Sequence, residues 1–102
     1  MNHPAEMKIN SQLLNNVRNA AAIKEMIAAK LGVKDSEITE EASLIKDLGA
    51  DSVDVVDLVM EIENRFGIAI PDHDVENLTT TRSLINYVNR RIGSSFINKK
   101  TG

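Results

Sequence analysis

The chain has 102 residues, 42% of them hydrophobic but only 3% aromatic, with no tryptophan, so it can bury one modest core, and that core must be aliphatic. Cysteine is absent, which excludes disulfides, thiolate metal sites and cysteine nucleophiles together and means that any thiol chemistry must take its sulfur from a cofactor. The net charge of −3 hides a division: residues 35–76 hold 13 of the 15 acidic residues and only two bases, Lys46 and Arg65, while both flanks are basic.

Residues 1–18 read as an amino-terminal extension, partly flexible or helical, polar and frayed over the first ten positions around Pro4. The first 20 residues lack a continuous apolar stretch, and no run approaches the roughly 18 apolar residues of a membrane span. A cytoplasmic protein without a membrane span is expected. The first helix begins between Ser11 and Ala20 and ends at Leu31, before Gly32. Its core stripe holds Ile23, Ile27 and Leu31, with Ala20 and Ala28 permitting close approach and Met26 beside them.

A long connection, residues 33–51, follows; loops of this length tend to be functional or disordered. Leu44, Ile45 and Leu48 within it have the spacing of one helical turn that packs back on the core. The second helix spans Ser52 to Phe66, with Asp51 as N-cap, Asp54 as the acidic end of a capping box, and Gly67 as stop. Pro71 biases Ile70 towards an extended link, and a short helical segment covers Asp72 to Leu78. Thr80 or Thr81 caps a last helix that turns Leu84, Ile85, Val88 and Ile92 inward and stops at Gly93. The expected fold is all-α: a small four-helix bundle, three principal helices plus a short one, over residues 19–92, with 93–102 as a polar basic tail.

The second helix has two apolar faces. At about 100° per residue, Val55, Leu58, Val59, Ile62 and Phe66 form the core stripe, while Val53, Val56 and Met60 cluster nearly opposite. Asp57 and Asn64 adjoin that second stripe and Glu63 lies at its margin; Asp54 and Glu61 sit on a flank, where Glu61 and Arg65 are spaced to pair. Scattered surface hydrophobes are common. Aligned inside an acidic frame beside Ser52, these three read as a docking stripe, with Met60 its adaptable contact. An acidic face steers towards basic protein surfaces and repels phosphates, so no nucleic-acid partner is expected there.

Ser52 stands where the long loop becomes this helix. A nucleophilic serine needs a base in reach and an oxyanion site. The only histidines are His3 and His73, carboxylates such as Asp51 and Asp54 are poor bases near neutral pH, and no Gly-x-Ser-x-Gly elbow is present. Asp47, Asp51 and Asp54 lack the Gly-centred spacing of a calcium loop. Neither a catalytic residue nor a metal site is expected. A helix start does tolerate a phosphate ester, so the residues alone leave two readings: Ser52 as part of a cap, or Ser52 as the bearer of an attached group.

The stretch Leu48-Gly49-Ala50-Asp51-Ser52-Val53-Asp54, followed by Leu58-Val59-Met60-Glu61 and by Phe66-Gly67 through Ile70-Pro71-Asp72, closely resembles bacterial acyl carrier proteins. The resemblance runs from near Ala20 through Leu31-Gly32-Val33, then Thr79-Thr80-Thr81 and Tyr87-Val88, about residues 19–92. It implies a monomeric four-helix carrier, not an enzyme, with 4′-phosphopantetheine on Ser52 and acyl groups held as thioesters for fatty-acid, lipid or polyketide-type synthesis. Asp51 then belongs to the modification motif, and Val53, Asp54, Val56, Asp57, Met60 and Glu63 to the partner surface. Leu44, Leu48, Leu58, Val59, Ile62, Ile70, Leu78 and Leu84 would shelter the acyl chain. The implied partners are a holo-carrier-protein synthase (a phosphopantetheinyl transferase), an acyl ligase or transacylase, and ketosynthases and other acyl-processing enzymes. Val53 stands where the family usually has leucine, and Asn64 and Arg65 where its main fatty-acid member is acidic, which leaves a specialised member open. An aminoacyl carrier and an unmodified acidic adaptor are the alternatives.

Overall fold

The computed structural model describes the backbone of residues 4–101 and the side chains of residues 13–92. Among the described residues four helices follow one another: α1 (Pro4–Leu31), α2 (Ser52–Phe66), α3 (Asp72–Val75) and α4 (Thr81–Thr101), with one 3-10 turn (Asp35–Glu37) in the long connection. The expected all-α bundle is what forms. Its core runs through one cluster of aliphatic side chains, with Ile23 and Ile27 from α1, Leu58 and Ile62 from α2, and Leu84 and Val88 from α4 at its centre. Burying each of these large side chains stabilises the fold by about 1.5–3 kcal/mol.

Both terminal helices are longer than expected. The first starts at Pro4, not between Ser11 and Ala20. Proline suits the first turn, where its missing N–H has no partner to lose, and the Asn and Ser residues that follow only weaken a helix by tenths of a kcal/mol each. Met1–His3 of the expected frayed end lie outside the described residues. The last helix passes through Gly93 to Thr101. A glycine in helical conformation costs about 1 kcal/mol relative to alanine but ends a helix only when it turns left-handed. Gly67 does turn, at φ 66°, and its N–H and that of Ile68 donate to the Glu63 carbonyl to close α2.

The helix ends are otherwise capped as the residues suggest. Thr80, not Thr81, caps α4: Thr80 Oγ1 accepts from the Ser83 N–H at 3.1 Å and Ser83 Oγ accepts from the Thr80 N–H at 3.0 Å. The segment expected over Asp72–Leu78 is helical only to Val75 and continues as a turn, with the Asn77 and Leu78 N–H groups donating to Asp74 and Val75 carbonyls. Glu61 pairs with Lys30 of α1 at 2.6 Å, not with Arg65. Lys30 lies in the last turn of α1, across the seam from α2, and the bond raises its ammonium pKa.

The long connection is neither free nor disordered. Leu44 and Leu48 are buried, as expected, but Ile45 is exposed, because the turn at 44–48 directs only two of the three inward. A backbone bridge ties the connection to the start of α4: the Leu44 N–H donates to the Thr79 carbonyl at 2.9 Å and the Thr81 N–H to the Ala42 carbonyl at 3.1 Å. Arg82 adds ion pairs to Glu40 and Glu41 at 3.1 and 2.8 Å.

Candidate functional site

Ser52 is the first residue of α2 and is exposed. The chain reaches it through Gly49, whose φ of 79° is a left-handed turn that a side chain would strain. Buried Leu48 and Ala50 on either side pin that turn to the core. The capping box is formed at both ends: Asp51 Oδ1 accepts from the Asp54 N–H at 2.8 Å and Asp54 Oδ2 accepts from the Asp51 N–H at 3.1 Å. With the Val55 N–H donating to the Asp51 carbonyl, the N–H groups of Ser52 and Val53 are the two first-turn donors left without a protein partner among the described residues. The serine hydroxyl thus stands at the positive end of a helix beside two free donors, which suits a phosphate ester.

A groove of about 600 Å³ opens beside it. Leu44, Ile45, Val55, Val56, Val75 and Leu78 make its apolar walls, and Ser43, Lys46, Ser52 and Glu76 are among the polar residues lining it. This volume falls in the range of about 300–1,000 Å³ usual for small-molecule sites. Of the eight residues expected to shelter an acyl chain, only Leu44 and Leu78 line this groove. Leu48, Leu58, Ile62 and Leu84 belong to the closed core, and Val59 and Ile70 line a second hollow of about 450 Å³ between α2 and α3. The reason is geometric: the side chains nearest the bundle axis pack against one another, and only those bordering α3 leave space. Ile45, Val55, Val56 and Val75 were the groove residues missed; for Val75 the signal was its apolar place on the short α3, next to the motif serine's helix.

The outward stripe of α2 is present as expected. Val53, Val56 and Met60 are 64%, 51% and 54% exposed. Asp57 is exposed beside them and Asp54 is half-buried in its cap. Glu63 sits differently from its neighbours: its carboxylate accepts from the Ile70 N–H at 2.7 Å, so it holds the α2–α3 link as well as bordering the stripe.

A second polar group joins α3 to α4. Tyr87 Oη donates to Asp74 Oδ2 at 2.6 Å and accepts from Arg91 Nη1 at 2.9 Å, and the same nitrogen donates to the Ala69 carbonyl at 2.7 Å. Burial foremost, and then the bond to Asp74, raises the Tyr87 phenol above its ordinary pKa of 10.0, while Arg91 opposes them. Sequence reading did not bring these residues together, and only their being polar residues on two facing helices hinted at it. Among the described residues no helix is long and apolar enough to cross a membrane.

The chain matches known proteins over the same region. The family model of the phosphopantetheine attachment site matches residues 21–88. The chain is 48% identical over 71 residues to the acyl carrier protein of Thermotoga maritima, across 70% of this chain and 88% of that protein. Its fold is similar to a solved structure of acyl carrier protein from Enterococcus faecalis, at a TM-score of 0.66 and 25% identity, covering 74% of this chain and 95% of that one. The outer turns of α1 and α4 lie beyond the family match.

Proposed function

The chain belongs to the acyl carrier protein family and carries acyl groups on covalently bound 4′-phosphopantetheine, and from that premise we propose that Ser52 is the attachment residue. The observation that carries this is the exposed hydroxyl at the first position of α2, beside two unpaired N–H donors and at the mouth of an apolar groove. When attached, the arm supplies a terminal thiol for thioesters, which a chain without cysteine cannot provide for itself. Members of the family are carriers on which other enzymes act. Asp51 serves the modification through its cap, which holds the first turn of α2 in place.

The reading extends to the surroundings of Ser52. Val53, Val56 and Met60, framed by Asp54, Asp57 and Glu63, form the face for partner enzymes: first the holo-carrier-protein synthase, then an acyl ligase or transacylase and a ketosynthase or other acyl-processing enzyme. Buried apolar contacts give such a face affinity, and its acidic frame sets the rate of encounter with basic surfaces. The groove beside Ser52 takes the acyl chain. A cytoplasmic place of work belongs to the same proposal, in keeping with coenzyme A, an intracellular metabolite, as donor of the arm.

Incubation with a holo-carrier-protein synthase, Mg²⁺ and coenzyme A should raise the intact mass by one phosphopantetheine in the wild type and not in Ser52→Ala. An equal gain in both would remove Ser52 from the role. Asp54→Lys combined with Asp57→Lys should slow association with the synthase several-fold, more at low than at high salt. Rates that match wild type at every ionic strength would remove the acidic frame from partner steering.

A further inference from the structure

Helix α3 forms one wall of the groove at Ser52, yet little of its own sequence explains why it stays there. It has four residues, no side-chain cap at Pro71, and no buried residue. Val75 and Glu76 nonetheless line the groove. Val56 and Val75 also line the neighbouring hollow between α2 and α3, so this pair is the partition between the two spaces.

The opposite side of the partition is tied down. Asp74, next to Val75, accepts the Tyr87 hydroxyl at 2.6 Å, and Arg91 Nη1 bonds both that hydroxyl and the Ala69 carbonyl, at 2.9 and 2.7 Å. The guanidinium also lies 5.7 Å from the centroid of the Tyr87 ring. Tyr87 is 8% exposed and set in the core, so its hydroxyl is a fixed point on α4. The tie therefore reaches α3 itself and the segment leading into it, on the side away from the groove. His73 Nε2 lies 3.4 Å from Asp74 Oδ1 and is exposed. Hydrogen bonds to charged groups are about twice as strong as neutral ones, and three meet here.

We infer that Tyr87, Asp74 and Arg91 are positioning residues that hold α3 against α2, keep the two hollows apart, and thereby limit the length of acyl chain this carrier shelters. The inference rests on the groove as the seat of the acyl chain. With the tie intact, a chain entering beside Ser52 meets the Val56–Val75 partition. With it cut, α3 is free to move outward and the chain can run on into the second hollow, towards Val59 and Ile70.

The test uses the full-length holo-protein charged with saturated acyl groups of increasing length. The readout is the rate of thioester cleavage by hydroxylamine, which falls when the chain draws the thioester into the protein. In wild type the protection should peak at an intermediate length. Tyr87→Phe should move the peak to longer chains and slow cleavage of the longest several-fold. Asp74→Ala and Arg91→Met, which leave the core side chains in place, should do the same if Tyr87→Phe folds poorly. Asp74→Asn, which keeps an acceptor, should restore much of the wild-type profile. A general loss of structure would lower protection at every length without moving the peak. An unmoved peak in all three cutting variants overturns the inference. Val55→Phe separates this failure from that of the groove itself. If it lowers protection at every length while the cutting variants leave the peak in place, only the tie is refuted. If it changes nothing, the groove reading falls, and the inference with it.

Discussion

Helix α2 has a reciprocal aspartate cap at its start, a left-handed glycine at its end, and Leu58, Val59 and Ile62 buried between them. Helix α3 follows α2 after a link of five residues, has no side-chain cap and buries none of its residues. Both line the same groove. The first stays in place through signals in its own fifteen residues and the two that flank them, together with a broad apolar contact. The second has the partial packing of Val75 against the core and the contacts of Tyr87 and Arg91 of α4 with Asp74 and Ala69. A helix that short gains too little from its own hydrogen bonds to exist without tertiary support. Hence one wall of the groove is rigid by construction, and the other is only as rigid as a few polar contacts.

The largest expected effect tests the rigid side. Ile62→Ala, at a site with no exposure, should lower stability by about 2–5 kcal/mol in urea unfolding, whereas Val75→Ala in α3 should cost about 1 kcal/mol or less because its side chain is only partly buried. Equal losses would erase the contrast. Next in size, Asp51→Ala should cost about 0.5–2 kcal/mol by removing the cap, with Asp51→Ser retaining most of it.

A smaller effect should appear in native-state hydrogen exchange. Amides of α3 should exchange faster than those in the middle of α2, and Asp74→Ala should widen the gap while moving the global unfolding midpoint little. A global shift as large as that of Ile62→Ala would mean that α3 is part of the cooperative core. The finest probe is the single tyrosine of the chain. Burial and the Asp74 bond raise the Tyr87 pKa above 10.0, so the folded protein holds this proton more tightly than the unfolded chain. The associated stability is complete below about pH 10 and is lost as pH rises through the higher folded value. Phenolate absorbance should titrate above pH 10 in wild type and at lower pH in Asp74→Ala. A midpoint unchanged by the substitution would argue against the Tyr87–Asp74 bond in solution.

Most of the bundle was legible along the chain. The bounds and both ends of α2 follow from Asp51, Asp54 and Gly67, and its two faces from the spacing of Val53, Val56 and Met60 against Leu58, Val59 and Ile62. Ser52 stood out for the same local reasons. The helix ends at Pro4 and Thr101 were less legible, because weak helix formers and an interior glycine lower helix stability without forbidding it. The partner of Glu61 was misread since i,i+4 spacing competes with Lys30, a residue 31 positions away in sequence that the α1–α2 packing brings to 2.6 Å. The groove was legible only as a set of aliphatic residues. Which of them face one another across empty space depends on how α2, α3, the long connection and the segment between α3 and α4 converge.

What the amino-acid sequence determined by itself is the all-α class, the placement of the motif serine at a capped helix start, and the family. These rest on periodicity, capping and turn chemistry, which act over a few residues and are written locally. Tertiary structure alone decided that α3 stops at Val75, that Leu44 and Leu78 line the groove while Leu58 and Ile62 do not, and that Asp74, Tyr87 and Arg91 meet. Each of these depends on side chains far apart in sequence sharing one small volume. No local pattern encodes such a meeting, because its energy arises only after the helices have packed.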